Sequence, residues 1–266
     1  MSAGTVPGTA AGTRLRTALD RLAPSLGTVS ARLWSAGAGA ERYRSWLRAT
    51  HQIVRATEPL IAEAIQECLR RNDPLSGSLV PYLAAHLPEE RGHDRWLLAD
   101  YAATGADPAE LLGSVPDGAV ARFAGAPGYW IRQVHPLGLL GHIALLEWYP
   151  PPPGTAAALA RRTGLPPSAF RALREHSELD TAHGDRLRVF LDSLDLDPAG
   201  HRLLLTAATT SATGLVEVVD SVLAAERTIE RTTEQTAQRT TTAPYRAQAT
   251  VPTETPTEEP WLTWTG

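Results

Sequence analysis

The stretch that decides the fold is His176-Ser-Glu-Leu-Asp180-Thr-Ala-His183, and His86-Leu-Pro-Glu-Glu90-Arg-Gly-His93 repeats its pattern. In each stretch a histidine is followed by a carboxylate four residues on and by a second histidine three residues later. On an α-helix these positions share one face, so each stretch directs two imidazoles and one carboxylate to the same point. Two such faces opposed across a helical bundle would form a site for two metal ions.

The two stretches are not equivalent, because Pro88 falls between His86 and Glu90. We expect the helix to bend or to begin at this proline. His86 then need not share the face of Glu90 and His93, whereas the second stretch is uninterrupted. The first stretch is therefore predicted to contribute only Glu90 and His93.

A third helix supplies another candidate ligand, Glu147, at the end of the apolar run that begins at Leu137. A buried carboxylate is costly unless it is paired or bound to a metal, and we expect Glu147 to bridge the two ions. The alternative for either stretch is a solvated helix face with polar pairing. The predicted ligands are Glu90, His93, Glu147, His176, Asp180 and His183.

Further residues are candidates for supporting roles. Alternative ligands, or residues that orient an imidazole, are His86, Glu89, Glu58, Asp94 and Asp100. For the two aspartates, a surface ion pair is an equally good interpretation. Candidates for binding a substrate carboxylate are Arg186, Arg55 and Arg132, because guanidinium binds carboxylate in a bidentate manner. Arg186 has the alternative role of neutralising Asp180.

Composition excludes several classes of function. The 25 basic side chains are all arginine, so no lysine Schiff base can form. The single cysteine, Cys68, excludes an internal disulfide and cysteine-based metal clusters, and we expect it to be a buried helix residue rather than a catalytic thiol. The net charge of −4 gives no basic stripe for nucleic acid. We find no apolar run long enough to span a membrane and no secretory signal, and we expect a cytoplasmic protein.

The periodicity of apolar residues is helical along most of the chain, and no strand signal is found, so the predicted fold class is all-α. We predict a disordered N-terminus at 1–12, a helical domain at 13–231 and a disordered tail at 232–266. The tail is rich in Thr, Pro and Glu, a composition that does not support a packed core. A small-molecule substrate is expected, while an external electron donor and a homodimer stay open.

The chain also resembles a known family, the haem-oxygenase-like di-iron oxidases and oxygenases, often labelled iron-containing redox enzymes. The resemblance rests on Glu89–Asp100, Leu139–Glu147 and His176–His183, in that order and spacing. It implies a seven-helix haem-oxygenase-like bundle without haem, holding two Fe(II) ions that react with O₂. Some members have a glutamate where this chain has His86, and some recruit an acid from the preceding helix, here Glu58 or Glu63.

The predicted function is therefore an O₂-activating, non-haem di-iron enzyme of a natural-product pathway. The resemblance implies an amino-acid substrate that undergoes desaturation, C–C cleavage, ring closure or N-oxygenation. One alternative is a fatty-acid oxidative decarboxylase of the same family. A second is a metal-independent relative that resembles thiaminase or acts in cofactor synthesis. An iron-storage role is disfavoured, because two histidines around one aspartate differ from the Glu-x-x-His pairs of ferritin-type sites.

Overall fold

The structure, a computed structural model, describes residues 10–242, without the side chains of 177–182, 229–230 and 232–242. Within this range every regular element is helical, which confirms the predicted all-α class. The helices are α1 (Ala11–Asp20), α2 (Ala23–Leu33), α3 (Ala40–Val54), α4 (Thr57–Arg71), α5 (Pro74–Glu90), α6 (His93–Ala103), α7 (Pro108–Gly113), α8 (Gly118–Tyr129), α9 (Leu137–Trp148), α10 (Thr155–Thr163), α11 (Arg171–Asp192) and α12 (Pro198–Thr242).

These helices are more numerous than the seven predicted, because turns divide several of the long apolar patterns. The apolar residues over 41–71 follow one helical pattern, but the structure divides it at Arg55 and Ala56, close to Pro59. A π-helical turn, Trp130–Val134, extends α8, and a 3₁₀ turn, Pro167–Phe170, leads into α11. The divisions fall close to prolines, which cannot donate a backbone hydrogen bond.

The core is organised around α9, which is buried along almost its whole length. Gly141 lets α9 approach α12 closely, because a Cβ at this position would lie 2.6 Å from the Leu204 carbonyl oxygen. His142 is buried and its Nδ1 lies 2.8 Å from the Ser211 hydroxyl. This histidine therefore belongs to the core, and its position five residues before Glu147 places it off the face of that candidate ligand.

The chain divides into two compact units, Met1–Thr228 and Ile229–Gly266. The first contains the residues of the predicted site. Of the second, the structure describes the helical backbone as far as Thr242. The predicted boundaries at 12 and 231 stay predictions, and Trp261 and Trp264 lie outside the described residues.

One segment of α12, Pro198–Thr228, is long and apolar enough by length and composition to cross a membrane. The core helix of a protein with no membrane span meets the same criterion. Leu204, Ala208 and Val219 of this segment are buried in the core of the first unit. This packing favours a core helix, and the absence of a membrane span stays a prediction.

Candidate metal centre

The turn between α5 and α6 places the first histidine–carboxylate stretch. The helix does not begin at Pro88, one of the two possibilities that the sequence predicts, since α5 continues past this proline to Glu90 and α6 begins at His93. Pro88 stands so close to the end of α5 that little of the helix depends on its missing donor. The chain turns instead at Gly92, whose φ of +85° favours glycine. His86 and Glu90 therefore lie one turn apart on one face of α5, and the break separates them from His93.

The first group of candidate ligands consists of His86, Glu90, Glu147 and His183. Each offers one nitrogen or oxygen atom, and these four atoms lie within 4.8 Å of one another. Nε2 of His86 lies 3.6 Å from Oε1 of Glu90 and 3.4 Å from Oε1 of Glu147. His86 and Glu147 are only 4% and 6% exposed. Helices α5, α9 and α11 thus bring two imidazoles and two carboxylates together in a largely buried site.

The second group consists of His93 and His176, whose ring centroids are 5.0 Å apart. Nδ1 of His93 lies 3.4 Å from Oε2 of Glu90. Nδ1 of His176 donates a hydrogen bond of 2.8 Å to the Ala172 carbonyl oxygen, which leaves Nε2 as the nitrogen with a free lone pair. His93 of this group therefore lies next to Oε2 of Glu90, whereas His86 of the first group lies next to Oε1.

Glu90 is the carboxylate that joins the two groups. Its Oε1 faces His86 and its Oε2 faces His93. On α11, His176 and His183 are seven residues apart, which is a rise of about 10 Å, and they belong to different groups. The sequence suggested Glu147 as the bridge, whereas the geometry favours Glu90.

The protonation states suit metal binding. Burial lowers the pKa of His176 and of His183, so both imidazoles are neutral and can donate a lone pair. Burial alone would raise the pKa of Glu90, but the hydrogen bond from His93 and the nearby imidazoles outweigh it, so this pKa is lowered. Apart from its 3.4 Å approach to Oε2 of Glu90, Nδ1 of His93 is buried without a hydrogen-bond partner among the described residues. Imidazole nitrogen and carboxylate oxygen are suitable ligands for iron, so these residues fit an iron site.

A second carboxylate, Glu89, supports the first group from outside. Its Oε2 lies 3.4 Å from Nδ1 of His86 and 3.7 Å from Nε2 of His183. The same oxygen accepts a hydrogen bond of 2.7 Å from Arg186. A carboxylate in this position orients a metal-binding imidazole. Arg186 is thereby committed to Glu89.

Aromatic rings cover both groups. The ring of Trp96 stacks on His93 at 4.3 Å, and the guanidinium of Arg171 lies 4.8 Å from the Trp96 ring. On the other side the Tyr82 ring lies parallel to His86 at 5.8 Å and stacks on Phe190 at 4.3 Å. These rings limit the access of water to the imidazoles.

The position of Glu147 depends on close packing of α9 against α11. The indole N–H of Trp148 donates a hydrogen bond of 2.8 Å to the Gly184 carbonyl oxygen. A Cβ at Gly184 would lie 2.6 Å from Cδ1 of Trp148, so only glycine allows this contact. In the sequence, Glu147 precedes Trp148 and His183 precedes Gly184. The contact between Trp148 and Gly184 therefore brings Glu147 and His183 close together, and both belong to the first group.

Asp100 has a structural role at the start of α11. It is buried, and its two oxygens accept hydrogen bonds from the backbone N–H groups of Arg171 and Ala172, at 3.1 and 2.8 Å. These N–H groups have no partner inside the helix, so a carboxylate there stabilises the helix end. Asp100 thus orients α11, which carries His176 and His183, rather than one imidazole.

Replacing Asp100 with asparagine is expected to change how stability depends on pH. Burial raises the pKa of Asp100 from 3.8 to about 6, so the native state binds its proton more tightly than the unfolded chain does. The contribution of Asp100 to folding is therefore most favourable below pH 4 and declines as the pH rises to 6, by about 3 kcal/mol. Urea unfolding between pH 4 and 7 should show wild type losing stability relative to Asp100→Asn. Parallel curves for the two proteins would contradict this assignment.

The remaining predicted residues lie around the two groups. Oε1 of Glu58 accepts a hydrogen bond of 3.1 Å from the Gly92 N–H and thereby holds the turn between α5 and α6. Arg132 forms an ion pair with Glu63, which leaves neither of them at the site. Arg55 and Asp94 line a cleft beside Glu90. The side chain of Asp180 lies outside the described residues, and its role as a ligand stays a prediction.

Sequence reasoning gave too little weight to His86 and did not find the aromatic cover. Because of Pro88, His86 is only an alternative ligand in the sequence prediction, although its spacing from Glu90 is that of neighbours on one helix face. Tyr82 stands four residues before His86, and Trp96 three residues after His93. On a helix, residues three or four positions apart are neighbours. These intervals could therefore have indicated that an aromatic ring covers each histidine.

Comparisons with known proteins show the family of the chain and its fold. The profile of the iron-containing redox enzyme family matches residues 44–215. A domain of unknown function from Shewanella denitrificans with a haem-oxygenase-like fold is 17% identical, with a TM-score of 0.68 over 83% of this chain and 91% of that one. A TenA homologue from Pseudomonas syringae pv. tomato is 12% identical, with a TM-score of 0.61 over 84% and 98%. A search of curated protein sequences finds no match.

Proposed function

The chain belongs to the iron-containing redox enzyme family, and from this premise we propose that it is an O₂-dependent, non-haem di-iron oxidoreductase. Its haem-oxygenase-like fold would then serve a site without haem. The observation that carries the proposal is the position of Glu90, whose two oxygens face two separate groups of histidines. A carboxylate placed in this way is suited to bridge two ions in a helical bundle.

The ligands divide between the two ions. His86, Glu147 and His183 would hold one ion, His93 and His176 the other, and Glu90 would bind both. Asp180 is predicted from its spacing to join this set. When bound, two Fe(II) ions supply electrons for the reduction of O₂, and open coordination positions give O₂ access.

The surrounding residues would prepare the site for this chemistry. Glu89 accepts the Nδ1 proton of His86, which leaves Nε2 directed towards Glu90 and Glu147. Trp96 and Tyr82 cover the imidazoles and keep water away from a reactive oxidant. The protein's contribution is therefore position, tautomer and exclusion of water.

We propose a small substrate and favour an amino acid, which would be desaturated, cleaved at a C–C bond, cyclised or oxygenated at nitrogen. Oxidative decarboxylation of a fatty acid is the alternative within the same chemistry. The proposed chemistry is compatible with either substrate, and the charged side chains in the cleft beside Glu90 favour the amino acid.

A metal-independent, thiaminase-like reaction is the competing proposal, prompted by the likeness to the TenA homologue. At 12% identity this likeness shows the fold alone. Burial raises the pKa of the only cysteine, Cys68, to about 11, so its thiol is protonated at neutral pH and is a poor nucleophile. A reaction without metal would also leave the clustered carboxylates and imidazoles without a role.

Anaerobic titration with Fe(II) tests the proposal. Wild type is expected to bind two ions, and His86→Ala and His176→Ala one each, because they belong to different groups. His201→Ala, which removes a histidine of α12 remote in sequence from both stretches, should still bind two. Addition of O₂ and a mixture of amino acids to the loaded wild type should then consume O₂ and give an oxidised product detectable by mass spectrometry. Equal iron binding by wild type and both site variants would refute the proposal.

A further inference from the structure

A cleft of about 440 Å³ opens beside the metal centre, and Glu90 forms part of its wall. The charged side chains of its lining are Arg55, Glu58, Glu90, Arg91 and Asp94. Helices α3 and α4 and the turn after α3 form one side, and α5 and α6 form the other. A molecule bound here would lie next to the carboxylate that joins the two groups of histidines.

Three of these five charged side chains are already committed within the protein. Glu58 accepts a hydrogen bond from the Gly92 N–H, and its Oε2 lies 3.7 Å from Nε of Arg91. Glu90 faces His86 and His93. Arg55 and Asp94 remain, and neither side chain makes a hydrogen bond or an ion pair within 4.0 Å to any described residue. The cleft therefore presents one cation and one carboxylate that are available to a ligand.

Arg55 also differs from the other arginines that were candidates for binding a substrate. Arg186 is bound to Glu89, and Arg132 to Glu63. Among these three, within the described part of the chain, only Arg55 has no acidic partner. It is also the only one of them in the wall of the cleft next to Glu90.

Arg55 and Asp94 act on the same region of the protein. His51, buried one turn before Arg55 on α3, has its pKa lowered by burial, raised by the charge of Asp94 and lowered by that of Arg55. Electrostatic effects of this kind act over short distances. Both charges therefore lie in the neighbourhood of His51, in addition to lining the same cleft.

We propose that this cleft binds the charged end of a free α-amino acid, with its carboxylate on Arg55 and its ammonium group on Asp94. The apolar residues of the lining, Val54, Ala62 and Leu87, would contact the carbon atoms of the ligand. A fatty acid offers a carboxylate alone and would leave Asp94 without a partner. The inference rests on the proposed function, because it takes the cleft beside Glu90 as the substrate site.

The test measures binding of each of the twenty protein amino acids to the Fe(II)-loaded protein without air, by calorimetry. For the one that binds most tightly, the carboxamide and the N-acetyl derivative serve as probes that each lack one charge. Arg55→Gln and Asp94→Asn are each expected to weaken binding of the amino acid about 10- to 100-fold, as for hydrogen bonds to charged groups. The carboxamide should be insensitive to Arg55→Gln, and the N-acetyl derivative to Asp94→Asn.

Arg132→Gln is the matched control, since this arginine lines a neighbouring cleft together with Arg55. It should bind the amino acid as tightly as wild type, and a loss on Arg132→Gln would overturn the inference by placing the ligand in that other cleft. A second result would overturn the inference in favour of a fatty acid. In that result no amino acid binds, whereas dodecanoate binds and its affinity depends on Arg55 but not on Asp94. Failure of all twenty amino acids to bind also overturns it. Thermal unfolding of each variant establishes that it is folded.

Iron content of the same samples separates the two proposals. If two ions are bound and no amino acid binds, the di-iron proposal stands and the amino-acid site is wrong. If no iron is bound, the di-iron proposal fails, and binding of amino acids to the metal-free protein still tests Arg55 and Asp94, because neither is a proposed ligand.

Discussion

Replacing Glu90 with glutamine is expected to abolish high-affinity binding of both metal ions, a larger effect than any single histidine substitution. Each histidine belongs to one group, whereas Oε1 and Oε2 of Glu90 face His86 and His93 respectively. The amide keeps the size of the side chain but loses the negative charge and one of its two acceptor atoms. Anaerobic Fe(II) titration should show affinity reduced by at least about 100-fold at both sites, since loss of even an outer partner costs about 10- to 100-fold.

The neighbouring residue provides the control for this prediction. Glu89→Gln removes the same charge one position earlier on α5, but Glu89 contacts His86 and His183 from outside the cluster. Two ions should still bind, with the affinity for one reduced about 10- to 100-fold. If Glu90→Gln lost one ion and kept the other at full affinity, Glu90 would be a ligand to a single ion and the proposed bridge would be wrong.

Much of this arrangement could be predicted from local sequence, because a helix fixes which residues share a face. The class of fold followed from the 3.6-residue spacing of apolar side chains. His86 and Glu90 on α5, and His176 and His183 on α11, each lie on a common face, as i, i+4 and i, i+7 spacing requires. Glu147 was recognisable as a carboxylate in an apolar helix, and it is 6% exposed.

The rest depended on contacts that spacing alone does not determine. Proline normally interrupts a helix, but Pro88 is tolerated in the last turn of α5, and Gly92 makes the break instead. Because the helix ends near Gly92 rather than at Pro88, His86 stays on the same helix as Glu90 and belongs to the first group. The distance of 3.4 Å between His86 and Glu147 joins residues 61 positions apart, and only the packing of the helices places them together.

The partners of the arginines were equally undetermined by sequence. Arg186 follows His183 by three residues and looked suitable for binding a substrate, but it is held by Glu89. Arg132 is held by Glu63 from another helix. The selection of Arg55 depends on the absence of an ion pair between it and any carboxylate in the described structure, and a sequence pattern carries no information about that absence.

The last prediction concerns Glu147, for which we expect opposite effects on stability and on metal binding. In the metal-free protein this carboxylate is buried at the end of an apolar helix, with Glu89 and Glu90 also around His86. Burying a carboxylate costs free energy that a neutral amide of the same size largely avoids. The melting temperature of metal-free Glu147→Gln should therefore equal or exceed that of metal-free wild type, although the variant loses a proposed ligand.

Addition of metal should reverse this order. With Fe(II) at 100 times the dissociation constant, each filled site stabilises wild type by about 2.7 kcal/mol, so two filled sites correspond to a rise in melting temperature of about 10 to 20 °C for a chain of this size. Glu147→Gln loses a ligand of one ion and should show about half of this rise. Thermal unfolding without air gives the four melting temperatures, those of wild type and of Glu147→Gln, each with and without Fe(II). A lower melting temperature for the metal-free variant would mean that Glu147 stabilises the fold itself, whereas the expected reversal would mean that the buried carboxylate is retained at a cost to folding because the metal requires it.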